Sequence, residues 1–430
     1  MYVHLNALGC RLNEAELEAW ARGFQAQGHR ITLRPEQADM IVINTCAVTR
    51  EAVRKSRQLI RRAHRRNTRA KLVVSGCYST LEPGLAGEIE GIDLIVPNHD
   101  KDRLVEITTR VFDHDTMPSR ATAPGETVLF PRGRNRAFIK IQDGCRNRCS
   151  FCIITVARGR ERSRPVKDIV SEINFYHARG INEAVLTGVH AGGYGSDIGS
   201  TLYALIRAIL ADSDIPRLRL ASVEPWDLQD NFFDLFSNPR LMPHIHLPLQ
   251  NGCDTVLRRM ARRCMTSDFT RLVDHARACA PDFNITTDII VGFPGESDRE
   301  WECSLRFIEK TGFSHIHIFP YSARSGTRAA AMPDQVAPEV KRSRARALQA
   351  LALRMKAAWH EKHLGRVFPV LWEGKTRRSG TRSVTYYGYT PNYIRARADV
   401  PRGLVLENAI RPARMISVSQ DGGEVAAEPV

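Results

Sequence analysis

The chain has 430 residues, of which 43% are hydrophobic and 25% are charged. This length suggests roughly two to four domains, and the hydrophobic fraction is large enough for buried cores, which excludes a disordered or low-complexity protein. The 62 Lys and Arg residues outnumber the 47 Asp and Glu residues, so the net charge is +15. A charge of this sign favours a polyanionic partner such as a nucleic acid, although an arginine-rich composition alone would also produce it.

The amino-terminal segment MYVHLNALGC has no basic stretch followed by an apolar run, so no secretory signal peptide is predicted. No apolar run approaches the ~18 residues that a membrane helix needs. We therefore expect a cytoplasmic protein with no membrane association. In that compartment the ten cysteines are expected to bind metal or take part in catalysis rather than form structural disulfides.

Residues 1–112 show predicted strands that alternate with predicted helices. Apolar strands are predicted at 3–8, 40–43 and 72–74, with helices at 13–27 and 49–66. This alternation is typical of a parallel sheet with right-handed crossovers, so we predict an amino-terminal α/β domain with an open parallel sheet. The stretch 112–135 is rich in Pro and Gly and is predicted to be a linker.

From residue 137 the alternation of strands and helices resumes. Six strands are predicted, at 137–141, 183–186, 217–222, 244–247, 284–291 and 315–319, and they indicate a barrel or partial barrel. A long basic helix is predicted at 335–363, with Gly365 as its C-cap. Beyond it, short period-two strands indicate a small all-β domain. The predicted domains are 1–112, 130–364 and 365–430.

Cys145, Cys149 and Cys152 follow the first strand of the predicted barrel in a C-x3-C-x2-C spacing. A structural zinc site usually takes four ligands, whereas three thiolates on a [4Fe–4S] cluster leave one iron without a protein ligand. That iron can chelate the amino and carboxylate groups of S-adenosylmethionine (SAM) and pass one electron to its sulfonium, which gives methionine and a 5′-deoxyadenosyl radical. We predict that these cysteines hold this catalytic cluster, with zinc or simple electron transfer as the alternatives.

Cys10, Cys46 and Cys77 each follow the end of one of the first three predicted strands. Because the carboxyl ends of parallel strands share one edge of a sheet, loops of similar length would bring the three thiolates together. We predict a second three-cysteine cluster here, which could hold a sulfur atom on its open iron. The alternative is three buried cysteines at strand ends. No role is predicted for the other four cysteines, Cys253, Cys264, Cys279 and Cys303.

Taken together, these features resemble the radical SAM methylthiotransferases over nearly the full length of the chain. That family combines an amino-terminal three-cysteine domain, a radical SAM barrel and a carboxy-terminal TRAM domain. The segments LGCRLNEAE, INTCAVTREAVRKSRQ, SGCYS and FIKIQDGCRNRCSFC are most similar to the branch that modifies N6-threonylcarbamoyladenosine in tRNA. The chain departs from the usual pattern at Ile154, Thr155 and Val156, where a Pro and an aromatic residue are expected, and at Asn251, where a Ser is usual.

The resemblance implies an α/β protein with a partial (β/α)6 barrel and a TRAM-like all-β domain. It implies a methylthio transfer to carbon two of the adenine in N6-threonylcarbamoyladenosine beside the anticodon, with two [4Fe–4S] clusters and SAM as cofactors. The implied partners are the tRNA anticodon stem-loop and an electron donor such as flavodoxin or ferredoxin, while the sulfur donor is left open. We expect a monomer. The alternative substrates are isopentenyladenosine in tRNA and an aspartate of a ribosomal protein, and a third reading is a non-catalytic zinc RNA-binding protein.

Residues that follow the barrel strands are candidates to contact SAM, because the active mouth of such a barrel lies at the carboxyl ends of its strands. The candidates are Thr187, Gly188, Ser222, Glu224, Gln250 and Asp288. For Thr187 and Gly188 a simple turn after the strand is the alternative.

Two segments are candidates to bind RNA. Residues 50–71 carry ten Lys or Arg against one acid, Glu51, which indicates a surface that faces phosphates rather than a mixed solvated helix. The predicted all-β domain interleaves aromatic residues with cations, which can stack on unpaired bases; a role in the β core is the alternative for some tyrosines. These residues are Tyr386, Tyr387, Tyr389, Tyr393, Arg395 and Arg397.

Overall fold

The computed structural model describes residues 1–112, 135–374, 377–379 and 383–430. Most of the predicted linker lies outside these residues. Contacts group the chain into two compact units. The first contains the described amino-terminal residues with Asp143–Arg162 and Ser322–Thr327, and the second contains the remaining described residues. The division into three domains stays a prediction, since the all-β region falls within the second unit.

The first unit is built on the predicted open parallel sheet, whose strand order is β2-β1-β3-β4-β5. Apolar side chains are buried on both faces of the sheet, which is typical of a parallel sheet covered by helices. The elements of this unit are β1 (Tyr2–Ala7), α1 (Arg11–Ala26), β2 (Arg30–Ile31), β3 (Met40–Thr45), α2 (Arg50–Arg66), β4 (Lys71–Gly76), α3 (Cys77–Leu81), α4 (Pro83–Gly87), β5 (Leu94–Val96), α5 (Leu104–Val111) and α6 (Ile154–Arg158).

The second unit contains the predicted partial barrel. Its strands form two sheets, β7-β6-β8-β9 and β10-β11-β12. Within them β6, β8 and β9 run parallel, as do β10, β11 and β12, and isolated bridges such as Ser222 to His246 join the two sheets. The long helix starts later than predicted because Pro338 occupies its first turn, where a missing N–H costs nothing. The elements are β6 (Arg136–Asp143), β7 (Arg162–Ser163), α7 (Val166–His177), β8 (Glu183–Gly188), α8 (Leu202–Asp212), β9 (Arg217–Leu220), β10 (His244–His246), α9 (Asp254–Arg259), α10 (Thr266–Cys279), β11 (Asn284–Val291), α11 (Asp298–Thr311), β12 (His315–Pro320) and α12 (Pro338–Glu361).

The carboxy-terminal region is the predicted all-β domain. Its sheet has the order β13-β17-β18-β16-β15-β14 and closes through an additional β13–β15 pairing, around a core that includes the fully buried Trp372. The strands are β13 (Val367–Trp372), β14 (Arg377–Ser379), β15 (Ser383–Tyr389), β16 (Arg395–Pro401), β17 (Ile410–Val418) and β18 (Val425–Pro429). The predicted fold class is thereby confirmed.

Buried charges at the amino-terminal ends of the barrel strands contact this all-β region. Glu183 is fully buried and lies 3.1 Å from Arg219 and 3.6 Å from Arg136, and Arg136 also pairs with Glu373 at 2.5 Å. Burial alone would raise the pKa of Glu183, but Arg219 and Arg136 lower it below its usual range. The barrel and the all-β region therefore share one charge-balanced interface inside the second unit.

Among the described residues, no helix is both long enough and apolar enough to cross a membrane.

Candidate metal centre and functional site

The three amino-terminal cysteines lie at one edge of the first sheet. Cys10 precedes α1, Cys46 directly follows β3, and Cys77 begins α3 directly after β4, and β1, β3 and β4 are neighbours in the sheet. Burial raises the pKa of the Cys46 thiol to about 11, and the nearby Cys10 and Cys77 act in the same direction. The fold thus brings these three thiols together, and metal binding there would release their protons.

Two glycines allow the strands to approach each other at this edge. Gly9 has φ +119°, and a Cβ on it would lie 2.9 Å from Cys46 Cβ and 3.0 Å from Cys46 Sγ. Gly76 has φ +104°, and its added Cβ would lie 2.4 Å from the carbonyl oxygen of Thr45. Both positions therefore require glycine for conformation and for space.

We expect Gly9→Ala to displace the Cys46 side chain and to lower the iron content of the amino-terminal site. The strained backbone should lower the free energy of unfolding by about 1–3 kcal/mol. Iron analysis after anaerobic reconstitution and urea unfolding would measure both effects. Gly84→Ala is the matched control, since its added Cβ meets nothing within 4 Å; equal losses in both variants would contradict the prediction.

Arg158 lies beside this cysteine site, although sequence reasoning did not select it. It is buried, and its guanidinium donates to Asn13 Oδ1 at 2.8 Å, to Glu16 Oε1 at 2.9 Å and to Asp143 Oδ1 at 2.9 Å. Burial would lower its pKa, but Glu16, Cys77, Asp143 and Cys10 raise it well above its usual range. A cation is thus fixed next to the thiols.

Lys101 is a second buried cation in the same network. Its Nζ lies 2.6 Å from Glu16 Oε2, and both side chains are almost completely shielded from solvent. Asn98 Nδ2 donates to Cys77 Sγ at 3.7 Å and to the carbonyl oxygen of Ala157 at 2.7 Å. The polar pair Asn13 and Glu16, three residues apart on α1 directly after Cys10, is the sequence feature that could have indicated this network.

Cys145, Cys149 and Cys152 belong to the same compact unit and are partly buried. Their loop is held by the N–H of Cys145 donating to the carbonyl oxygen of Gly159 at 3.0 Å and that of Cys152 donating to Cys149 at 3.1 Å. The N–H of Asn147 donates to Cys145 Sγ at 3.4 Å. Such N–H···S bonds are one means by which proteins adjust iron–sulfur clusters.

The donor chemistry of the two cysteine sets fits iron–sulfur clusters. A structural zinc usually takes four protein ligands, whereas each set offers three thiols, which leave one iron of a [4Fe–4S] cluster without a protein ligand. Buried cations lie beside the amino-terminal set. Two other groups of three ligand atoms in the described residues lie within 4.8 Å of one another: Asp234, His275 and Cys279, and His246, Asp288 and His317.

Four of the predicted SAM contacts lie on or after neighbouring strands: Ser222 and Glu224 follow β9, Gln250 follows β10, and Asp288 is on β11. The backbone of Ser222 forms an isolated β-bridge with that of His246. Gln250 adopts φ +74°, and its N–H donates to the carbonyl oxygen of Asp288 at 2.8 Å. Glu224 instead accepts from both terminal nitrogens of Arg262, at 3.2 and 2.7 Å. Both carboxylate oxygens of Glu224 are therefore already paired with Arg262.

Asp288 lies 3.2 Å from His246 Nε2 and within the three-ligand set that includes His317. Burial alone would raise the pKa of Asp288, but the hydrogen bond and charge of His246, with the charge of His317, lower it. Thr187 and Gly188 end β8 in the other sheet, where a Cβ on Gly188 would lie 3.1 Å from Gln142 Oε1. These geometries leave SAM contact a prediction for all six residues.

The departures from the family pattern have local structural explanations. Thr155 Oγ1 donates to the carbonyl oxygen of Asn147 at 2.9 Å, which supports the loop of Cys145, Cys149 and Cys152, while Val156 is 62% exposed. Asn251 is fully buried and donates to Glu296 Oε1 at 2.8 Å. Its side chain is therefore engaged inside the second unit.

Helix α2 carries the predicted basic surface. Thr49 caps it by accepting from the N–H of Ala52 at 3.1 Å, and Ser56, Ile60 and Ala63 face the core. The exposed cations lie on the opposite side. Within the described part of the chain, no ion pair is found for Arg61, Arg62, Arg65 or Arg69.

Most of the predicted RNA-stacking tyrosines have internal partners. Tyr386 is in the core of the all-β region. Tyr389 and Tyr393 stack on each other at 4.6 Å and lie against the guanidinium groups of Arg136 at 4.3 Å and Arg219 at 4.5 Å respectively. The β-core alternative therefore fits Tyr386, whereas Tyr389 and Tyr393 pack against the barrel. Tyr387 instead pairs with Arg395 at 4.7 Å, and the Arg397 side chain pairs with Asp399 at 2.8 Å.

Comparisons with known proteins agree with this organisation. Residues 2–97 match the uncharacterized protein family UPF0004, and residues 139–308 match the radical SAM superfamily. The threonylcarbamoyladenosine tRNA methylthiotransferase MtaB of Thermotoga maritima is 36% identical over 378 residues, which cover 86% of each chain. The tRNA-2-methylthio-N(6)-dimethylallyladenosine synthase of Geobacillus thermodenitrificans is 33% identical over 401 residues, which cover 90% of this chain and 76% of that protein.

Among solved structures, the radical SAM methyltransferase TsrM of Kitasatospora setae, with cobalamin and a [4Fe–4S] cluster bound, superposes with a TM-score of 0.58. The match covers 76% of this chain and 77% of TsrM at 17% identity. At this identity the likeness concerns the fold alone.

Proposed function

This chain belongs to the radical SAM tRNA methylthiotransferases, and from that premise we propose that it converts N6-threonylcarbamoyladenosine beside the anticodon of tRNA to its 2-methylthio derivative. The observation that carries the proposal is the presence of two three-cysteine sets in one compact unit. One set suffices to make a radical, and a second is expected where sulfur must also be delivered.

Cys145, Cys149 and Cys152 would hold the cluster that cleaves SAM, and Cys10, Cys46 and Cys77 would hold the second cluster. When bound, these groups supply a carbon-centred radical for hydrogen abstraction and a site from which sulfur reaches the substrate. The chain's own residues hold the thiols at strand ends, and the buried contacts of Asn98 and Arg158 fix the two loops in one unit.

Thr187, Gly188, Ser222, Glu224, Gln250 and Asp288 are proposed to line the SAM site. Their positions at the end of β8, after β9 and β10, or within β11 place them toward the carboxyl ends of the barrel strands, where ligands of such barrels bind. For Glu224 the pairing with Arg262 supports a role in which the pair, rather than a free carboxylate, meets SAM.

The proposed partner is the tRNA anticodon stem-loop, supported by the exposed cations of α2. An electron donor such as flavodoxin or ferredoxin would reduce the clusters. We further propose that the enzyme acts in the cytoplasm as a monomer.

Two other substrates remain as candidates of the same enzyme class. One is isopentenyladenosine in tRNA, the type of base named for the Geobacillus relative, and the other is a ribosomal protein aspartate. A non-catalytic zinc RNA-binding protein is disfavoured because a structural zinc usually takes four protein ligands, whereas each cysteine set offers three.

The test compares nucleosides by mass spectrometry in tRNA from a strain with and without this gene. We expect 2-methylthio-threonylcarbamoyladenosine to disappear on deletion, with its precursor accumulating, and to return on complementation. Unchanged levels of this nucleoside would overturn the proposal, and loss of the methylthio-isopentenyl nucleoside instead would assign the other tRNA substrate. Iron analysis of the protein distinguishes either methylthiotransferase from a zinc RNA-binding protein. About eight irons per chain are expected for two clusters.

A further inference from the structure

A buried ionic network of Glu16, Lys101, Asp143 and Arg158 lies beside Cys10, Cys46 and Cys77. Arg158 and Lys101 are both shielded from solvent, and both pair with Glu16. Burying paired charges is weak evidence for stability, because desolvation costs about as much as the attraction returns. We therefore look for a role of these buried residues that depends on their charge rather than on stability.

The position of Arg158 points to the charge on the neighbouring site. Its guanidinium is held from three directions by Asn13, Glu16 and Asp143. The same Asn13 lies 3.8 Å from Cys10 Sγ, and the helix that bears Arg158 also presents the Ala157 carbonyl oxygen to Asn98, which donates to Cys77 Sγ. Arg158 is thus linked to Cys10 through Asn13, and the residue before it, Ala157, is linked to Cys77 through Asn98.

We propose that Arg158 is a positioning residue that sets the reduction potential of the cluster bound by Cys10, Cys46 and Cys77. The inference rests on the proposed function in one respect, that these cysteines hold a cluster. Reduction adds one electron and no proton to the cluster, so it adds one negative charge. A buried cation nearby stabilises that charge and raises the potential, whereas the Glu16 carboxylate opposes it.

Removing a positive charge and removing a negative charge should shift the reduction potential in opposite directions, which a purely structural role would not do. The full chain with Cys145, Cys149 and Cys152 changed to Ala holds the amino-terminal cluster alone. In that protein, with dithionite as the one-electron reductant, the midpoint potential is titrated by electron paramagnetic resonance. We expect Arg158→Gln to lower the equilibrium constant for reduction at least tenfold, which is about 59 mV for one electron.

Two further variants complete the series. Glu16→Gln should shift the potential in the opposite direction, and Arg158→Lys should restore most of the original value because it keeps the charge. Arg162→Gln is the matched control, since this arginine is on the same segment but is 44% exposed and 3.8 Å from Asp143; we expect a much smaller shift there.

The outcomes separate this inference from the proposed function. If the parent protein assembles no amino-terminal cluster, the proposed function itself fails. If the cluster assembles and Arg158→Gln shifts the potential no more than Arg162→Gln, or if Arg158→Gln and Glu16→Gln shift it in the same direction, the role of Arg158 is overturned. Should Arg158→Gln lose the cluster, Glu16→Gln and Arg158→Lys still decide, since a higher potential in the first and a near-parental value in the second are required.

Discussion

Cys46→Ala is expected to abolish methylthio transfer while leaving SAM cleavage nearly intact. The substitution removes one of the three thiols at the sheet edge, yet the backbone there is held without the thiol. The N–H of Cys46 donates to Ser56 Oγ at 3.1 Å, and Ser56 Oγ donates to the Cys46 carbonyl oxygen at 3.0 Å. We therefore expect a folded protein whose amino-terminal cluster is lost or labile.

The expected effect is large because a cluster ligand is removed. Loss of an outer-shell partner already costs roughly 10- to 100-fold in metal affinity or activity, so the methylthiolated product should fall at least about 100-fold. Iron should drop from about eight to about four per chain. Formation of 5′-deoxyadenosine from SAM, followed by liquid chromatography, should stay within about twofold of the parent value, since Cys145, Cys149 and Cys152 are unchanged.

Cys264→Ala provides the matched control, because Cys264 is also a buried cysteine but lies in the second unit. It should keep full iron and full product. Cys149→Ala should lose both SAM cleavage and product. If Cys46→Ala retained product formation, the assignment of Cys10, Cys46 and Cys77 to a catalytic cluster would be wrong.

The placement of the amino-terminal cysteines was predictable because it follows from topology. A parallel sheet brings the carboxyl ends of its strands to one edge, and Cys10, Cys46 and Cys77 need only comparable loops to meet there. The barrel strands were equally accessible from the sequence. β11 spans Asn284–Val291, the range that the sequence predicts for it.

The charged network behind those cysteines was not predictable in the same way. Arg158 lies in a run of arginines, ARGRERSR, that reads as a solvent-exposed basic segment. Its burial depends on tertiary contacts with Asn13 and Glu16 from a helix more than a hundred residues earlier. Lys101 follows the fifth strand and gives no local indication that it is buried.

The tyrosines of the all-β region are the reverse case, in which a pattern that suggests an exposed surface belongs partly to internal contacts. Their interleaving with arginines suggested base stacking, whereas Tyr389 and Tyr393 pack on Arg136 and Arg219 from the barrel. A period-two pattern predicts which side of a strand a residue occupies, but it cannot tell whether that side faces solvent or another part of the protein. The nucleic-acid hypothesis therefore depends mainly on α2.

Replacing Arg61, Arg62 and Arg65 by Gln is accordingly expected to weaken tRNA binding by roughly 10- to 100-fold at low ionic strength. These three side chains are exposed, and in the described residues none of them has an ion-pair partner that would compete with phosphate. If each contacts one phosphate, the slope of log K against log salt should fall by about two to three. The iron content and the tRNA-independent cleavage of SAM should not change.

The control must remove the same charge from another surface, because a net charge of +15 attracts tRNA without any specific site. Three exposed arginines lie on the barrel helices α10 and α11, namely Arg271, Arg299 and Arg306. Changing them to Gln lowers the net charge by the same three units. Binding is measured by fluorescence anisotropy with an anticodon stem-loop across a salt series. A loss of tRNA affinity and salt slope in the α2 variant alone assigns the RNA contact to that helix, because the two variants have the same net charge and differ only in local phosphate contacts. Equal losses in both variants would show that long-range attraction alone accounts for binding.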